Sequence, residues 1–307
     1  MTKTAFLFAG QGAQYPGMGQ TLYETSPAAR AVFDMGERLR PGTLAMCFSG
    51  DAATLSLTEN TQPCLFLVDL ACARAAVEAG ATADCAAGFS LGEIAALAFC
   101  GVLSDEDAFR LVCRRGEIMA ACAAATPGGM AAVLKLTDEQ VERVSAGFAQ
   151  VYPVNYNAPG QIACAGAADE MDAFAAAVKQ AGGRALKLHV SGAFHTPFMA
   201  EAARVLGDVL EGMEIHAPAI PLYANRTAAP YPADRAGIVT LIREQVMSPV
   251  LWRQTLEAMH RERGVDTYLE VGAGKTLTGL VGRTLPEATA LYLAEAEDVA
   301  SLTARIM

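Results

Sequence analysis

Thr4 to Ala9, with an apolar run from Ala5 to Ala9 that ends at Gly10, predicts a buried strand running into a turn. Leu22 to Leu39 then carries apolar residues at helical spacing, with Pro41-Gly42 behind it as a stop. A second helical stretch covers Gln62 to Ala79 and halts at Gly80. Asp84 to Phe89 is short and apolar and reads as another strand, followed by helices over Leu91 to Phe99 and Asp105 to Ala124. Strands alternating with helices predict an α/β fold with a mostly parallel sheet.

The pattern changes at Thr126-Pro127-Gly128-Gly129. Met130 to Leu136 reads as a strand, and Thr137 opens a helix with Gln140 three residues on, a capping-box signature. Val151 to Tyr156 and Gln161 to Ala165 are short strands joined at Ala158-Pro159-Gly160. Asp169 to Ala181 is helical and stops at Gly182-Gly183, and Ala185 to Val190 is a strand. The order β-α-β-β-α-β is the ferredoxin-like arrangement. The expected organisation is a large α/β unit over 1–126 and 191–307, resuming at Ser191, with a small ferredoxin-like unit over 127–190 inserted into it. In the resumed part, Pro197 to Met213, Gly237 to Met247 and Leu251 to Arg263 read as helices. Ile220 to Ala224 and Thr267 to Val271 read as strands.

Composition narrows the classes. A chain of 307 residues, 52% hydrophobic and 18% charged, can bury a large core and is not disordered. The net charge of −10 has the wrong sign for a nucleic-acid binder. No window approaches the roughly 18 apolar residues of a membrane span, and the N-terminal apolar run is too short for a signal peptide. None of the eight cysteines has C-x-x-C spacing, so zinc ribbons and thioredoxin-like motifs are not expected. Reduced, buried thiols in a cytoplasmic protein with no metal are expected instead.

Gly88-Phe-Ser90-Leu-Gly92 matches the G-x-S-x-G nucleophile elbow, with a strand before it and a helix after it. The Leu91 N–H at the start of that helix can stabilise an oxyanion formed at Ser90. The competing reading is a capping box, Ser90-x-x-Glu93, with Ser90 only capping the start of a helix. A serine nucleophile needs a base, and the chain has four histidines: His189, His195, His216 and His260. His195, in an irregular segment just before a helix, is favoured over His189 on the last small-unit strand. The loop Gly10-Gln11-Gly12 lacks both phosphate-binding spacings; it can instead offer a Gln11 N–H as a second oxyanion donor. Arg115 lies mid-helix among apolar residues. It is either a paired surface residue or a fork for a buried carboxylate.

Taken together, these segments resemble the malonyl-CoA:acyl carrier protein transacylases, the acyltransferases of fatty-acid and polyketide synthesis. The matching stretches are Phe8 to Gln14, Gly88 to Glu93, Arg115-Gly116, Asn155 to Gln161, Gly192 to His195, Gln245 with Ser248 to Val250, and Glu270 to Lys275. They occur in family order and span nearly the whole chain. The resemblance implies a hydrolase-like core with a ferredoxin-like insertion, in agreement with the pattern above. It implies Ser90 as nucleophile, His195 as base, and the Gln11 and Leu91 N–H groups as oxyanion hole. Arg115 is implied as the partner of the malonyl carboxylate. The Gln245 backbone carbonyl is implied to orient the imidazole where a triad would place a carboxylate. Phe89, Met119, Phe194 and Asn157 are implied to line the substrate pocket.

The implied reaction moves malonyl from malonyl-CoA to the phosphopantetheine thiol of holo-acyl carrier protein through a malonyl-serine ester, with no cofactor. One departure stands out: members of the family most often carry His before the nucleophile, and this chain carries Phe89. Phe194 resembles the malonyl-using branch. Arg184, Lys187 and Lys179 are candidates for a cationic patch that docks the acidic carrier. Two rivals make different predictions. A thioester hydrolase on the same core releases the acyl group to water, and a flavodoxin-like nucleotide-binding module forms no acyl-serine.

Overall fold

The computed structural model describes residues 2–190 and 192–306. Ser191, where the large unit is expected to resume, lies outside the described residues, as do the end positions Met1 and Met307. Nine strands occur among the described residues: β1 Thr4–Phe8, β2 Cys85–Gly88, β3 Gly128–Leu134, β4 Val151–Ala158, β5 Gln161–Ala167, β6 Arg184–Lys187, β7 Leu222–Tyr223, β8 Thr267–Val271 and β9 Thr289–Leu293.

They form two sheets. The first has the order β7-β2-β1-β8-β9 and is parallel throughout. Its strands β1, β2 and β8 are buried along their whole length, as expected when helices cover both faces of a parallel sheet. The second sheet, β4-β5-β3-β6, is antiparallel. The helices Asp138–Ser145 and Met171–Gln180 lie between β3 and β4 and between β5 and β6, which gives the ferredoxin-like connectivity.

Period-two alternation along β5 divides its residues between two cores. Ile162 and Cys164 pack with Val133, Phe174 and Val178 inside the small unit. Ala163 and Ala165 join the main core of the large unit instead. The small sheet is also tied to the segment before the helix Trp252–Arg263 by backbone hydrogen bonds: Tyr156 N–H donates to the Val250 carbonyl at 2.9 Å, and Val250 N–H to the Val154 carbonyl at 2.7 Å. That seam carries the small sheet to the C-terminal ends of β1, β2 and β8, where ligands bind in open α/β sheets.

Several boundaries differ from the sequence expectation. The helix expected over Leu22 to Leu39 is two helices, Gln20–Thr25 and Pro27–Leu39. Ser26 separates them: its side chain caps the second helix by accepting from Ala29 N–H, and Pro27 occupies the first helical position. The stretch from Pro197 opens as a 3₁₀ turn, Pro197–Met199, before the α-helix Ala200–Glu211. The strand expected over Ala185 to Val190 ends at Lys187. The helices Thr43–Ser49 and Thr276–Thr284, and strand β9, are not anticipated from the sequence. β9 is an edge strand with Thr289 exposed, Ala290 to Tyr292 half-buried and only Leu293 of the strand buried, so its apolar signal is weak.

Candidate active site

β2 delivers the chain into a sharp turn. Ser90 has φ 52°, a left-handed conformation that costs a non-glycine residue about 1–2 kcal/mol. The turn is tight enough to exclude side chains on either flank. A Cβ on Gly88 would lie 2.1 Å from the Gly92 carbonyl, and one on Gly92 would lie 2.3 Å from the Phe8 carbonyl oxygen. The helix Gly92–Phe99 follows with no side-chain cap hydrogen bond, so the capping-box reading of Ser90 does not hold. Its hydroxyl lies instead 2.8 Å from His195 Nε2 and accepts from an Arg115 Nη at 3.2 Å.

His195 is buried and also left-handed, with φ 63°. Its Nδ1 faces two carbonyls, Gln245 at 3.0 Å and Ser248 at 3.1 Å. A carbonyl can only accept, so Nδ1 carries the proton and the Nε2 lone pair points at Ser90. These acceptors have a local origin. Gln245 ends the helix Arg235–Gln245, and the last carbonyls of a helix lack intrahelical partners. The negative end of the helix dipole also favours an imidazolium there. Burial, reinforced by the Arg115 charge, pushes the His195 pKa down to about 4, with the two carbonyls opposing the shift. The imidazole is therefore a neutral base at physiological pH. Of the other histidines, His216 is exposed near Glu214, His189 is exposed, and His260 binds the Val265 carbonyl.

Arg115 comes from the middle of the helix Asp105–Ala125 and is 2% exposed. The paired-surface reading is overturned, because no carboxylate among the described residues lies within ion-pair distance of it. Its guanidinium donates to Gln62 Oε1 at 2.7 Å and to Gln245 Oε1 at 2.9 Å, and its Nε has no partner. Burial lowers its pKa to about 10, so it stays charged at neutral pH; buried Glu93 opposes the shift. A buried cation held by two neutral amides, with a donor to spare, is suited to a ligand carboxylate.

The Gln245 side chain is therefore engaged as well as its carbonyl. It holds Arg115, and its Nε2 donates to the Ser90 carbonyl at 2.7 Å. The expectation that assigns Gln245 a role through its backbone alone is incomplete.

Gln11 lines the cavity that holds Ser90, Arg115 and His195, a space of about 100 Å³, together with Met119 and Phe194. Neither the Gln11 nor the Leu91 N–H has an acceptor among the described residues. The Gly12 N–H is taken by Gln14 Oε1 at 2.8 Å, so the glycine loop is folded as cavity wall and not as a phosphate nest. A second cavity, about 240 Å³, adjoins it and shares Gln11, Phe89, Asn155 and Leu188 with the first. Asn157 lines this second cavity only. The Phe89 ring separates the two spaces: it packs edge-on against Trp252, with centroids 5.3 Å apart, and its Cδ1 would sit 2.8 Å from any Cβ on residue 10.

Sequence reasoning did not single out Gln62, Asn225 or Tyr231, and it saw Ser248 only within a matching stretch and Glu93 as a cap partner and within another. Gln62 left one trace, as a polar residue heading an apolar helical run. The others act through backbone groups or through partners far along the chain.

Comparison with known proteins gives a consistent result. The acyl transferase domain family matches residues 5–304. The malonyl CoA-acyl carrier protein transacylase of Bacillus subtilis (strain 168) is 37% identical over 305 residues, spanning 97% of this chain and 96% of that protein. The crystal structure of the malonyl CoA-acyl carrier protein transacylase from Clostridium perfringens superposes with a TM-score of 0.94 at 34% identity, covering 99% of this chain and 97% of that one. A malonyl-transacylase solved in complex with a type II PKS acyl-carrier protein gives a TM-score of 0.94 at 32% identity, covering 99% and 100%.

Proposed function

The chain belongs to the acyl transferase domain family, and from that premise we infer that its elbow serine and buried arginine serve malonyl transfer. It is an [acyl-carrier-protein] S-malonyltransferase, with malonyl-CoA as donor and acyl carrier protein as acceptor. The observation that carries the site assignment is Arg115, a buried guanidinium without a carboxylate partner, 3.2 Å from the Ser90 hydroxyl. A neutral-acyl hydrolase has no use for that charge.

In the proposed mechanism, Ser90 Oγ attacks the thioester carbonyl as its proton passes to His195 Nε2. The oxyanion accepts from the Gln11 and Leu91 N–H groups. Collapse expels the coenzyme A sulfur, which takes the proton from His195. The malonyl-serine ester remains, its free carboxylate on Arg115. The carrier's phosphopantetheine thiol then gives its proton to His195 while attacking the ester, and Ser90 recovers a proton as it leaves. Met119 and Phe194 border the acyl group, Phe89 divides it from the second cavity, and Asn157 belongs to the approach. Intact-mass measurement tests this: malonyl-CoA alone should add one malonyl group, and holo-carrier should remove it to form malonyl-carrier. Loss of the group to water at the same rate without carrier would favour the hydrolase.

Because His195 is held neutral until about pH 4, kcat/KM should persist as pH falls through 6.5, the ordinary histidine value. Its acid limb should lie at about 4. A step near 7 would belong to buried Glu93, whose pKa burial raises to about 7, and should vanish in Glu93→Gln. A His195 limb at 6.5 in a pH–rate profile would contradict the burial argument.

The units 1–126 with 191–307, and 127–190, are proposed as the two parts between which the acyl chain is held. Exposed Arg184, Lys187 and Lys179 on the small unit are proposed to meet the acidic carrier, since none pairs with a carboxylate among the described residues. Among the described residues no helix is long and apolar enough to cross a membrane. Eight unpaired cysteines fit a cytoplasmic location. Supply to fatty-acid or to polyketide synthesis is equally compatible with the site.

A further inference from the structure

Asn225 is fully buried just beyond β7, and each of its four polar groups is used on a different target. Its N–H donates to Glu93 Oε2 at 2.8 Å, and its carbonyl accepts from Leu251 N–H at 2.8 Å. In the side chain, Oδ1 accepts from Ser90 N–H at 2.7 Å and Nδ2 donates to the Gly88 carbonyl at 2.6 Å. The last two contacts straddle Phe89. β7 pairs with β2 only at Ala86↔Leu222 and Ala87↔Tyr223. Beyond that point the Asn225 carboxamide does what the next backbone peptide of a parallel ladder would do.

We propose that Asn225 is the positioning residue for the nucleophile. Its carboxamide extends the β2–β7 ladder through Ser90, and Glu93 with Tyr231 anchors Asn225 in turn. Ser90 stays left-handed only while its surroundings hold it. Its carbonyl is fixed by Gln245 Nε2 and by the Glu93 N–H at 3.1 Å, so the Asn225 bond is what sets the other side of the residue. The anchor is itself buried. Glu93 is 1% exposed and accepts from the Asn225 N–H and from the Tyr231 hydroxyl. With its backbone held there and by Leu251, Asn225 can present the carboxamide in only one orientation. Asn225 touches no reacting atom, so its loss should lower kcat with little change in KM. A displacement of about 1 Å at a nucleophile can cost about 10²-fold.

This inference rests on Ser90 being the nucleophile, and the experiment separates the two. Malonylation is followed by quenched-flow mass measurement in wild type, Asn225→Leu and Asn225→Asp, with thermal unfolding recorded for each. If wild type forms no adduct, the nucleophile reading fails. If wild type forms it, Asn225→Leu should be slowed about 10²-fold with KM within threefold of wild type. Asn225→Asp keeps the acceptor for Ser90 N–H but turns an oxygen toward the Gly88 carbonyl. Protonation restores a donor there, so its rate should recover towards wild type on acidification from pH 8 to 5. A merely structural role would not produce that opposite pH trend. Acylation of Asn225→Leu at the wild-type rate overturns the proposal. Should Asn225→Leu not fold, Asn225→Asp decides: a rate that fails to rise with acid overturns it equally.

Discussion

Ser90→Ala is expected to lower malonyl transfer by on the order of 10⁴-fold or more and to leave no acyl adduct after exposure to malonyl-CoA. The hydroxyl is the group placed to form the ester, with its oxygen 2.8 Å from His195 Nε2. The fold should survive the change. The backbone contacts of residue 90, to Asn225 Oδ1, Gln245 Nε2 and Glu93, do not involve the hydroxyl. Only the Oγ contacts to His195 and Arg115 are lost, a cost of about 1–3 kcal/mol for hydrogen bonds to a charged or buried partner. A melting temperature a few degrees from wild type together with a missing adduct is the expected pair of results. Persistence of a malonyl ester on the purified variant would move the nucleophile to another residue.

Arg115→Met is expected to change which acyl group is used. Methionine roughly retains the volume of the stem, so the helix Asp105–Ala125 keeps its packing. What disappears is the charge. A malonyl carboxylate then enters a buried site with no cation, facing the amide oxygens of Gln62 and Gln245 that Arg115 had satisfied. Truncating one partner of a buried charge pair costs about 2–5 kcal/mol, roughly 30- to 5,000-fold in kcat/KM for malonyl-CoA. Acetyl-CoA carries no carboxylate and should lose far less. The same substitution has a second signature, because the Arg115 charge is one of the two causes holding the His195 pKa down. Without it the His195 pKa rises, and the acid limb of the rate profile should move up towards 6.5. Steady-state rates with both donors across pH check both points. An equal fall for malonyl- and acetyl-CoA would leave Arg115 with a structural role only.

Local signals account for much of what the sequence shows. Thr4 to Ala9 reads as strand because the apolar run from Ala5 to Ala9 is continuous, and β1 is buried at every position. The G-x-S-x-G spacing points to Ser90 because both glycines are required by close backbone contact, a property of the turn itself. The capping box at Thr137 and Gln140 is present as the spacing predicts. The β-α-β-β-α-β order follows from period changes and glycine stops. Where the signal is weak, as in half-exposed β9, or where a proline and a cap divide one periodic stretch, as at Ser26-Pro27, the expected boundaries shift.

The electrostatics of the site lie beyond such signals. Arg115 in sequence is an arginine on a helix. It becomes a buried, partly unsatisfied cation because Gln62 reaches it across 53 residues and Gln245 across 130. Asn225 is one polar residue after a short strand until the sheet brings it to Ser90 across 135 residues. Neither a side-chain period nor a turn preference encodes such pairings, because hydrogen bonds at that separation exist only after the strands have chosen their neighbours. The sequence by itself therefore determined most of the elements, the elbow and the candidate base. The tertiary structure decided how the base is held neutral, which amides hold the cation and what braces the serine, because desolvation and convergent hydrogen bonding are properties of the packed interior.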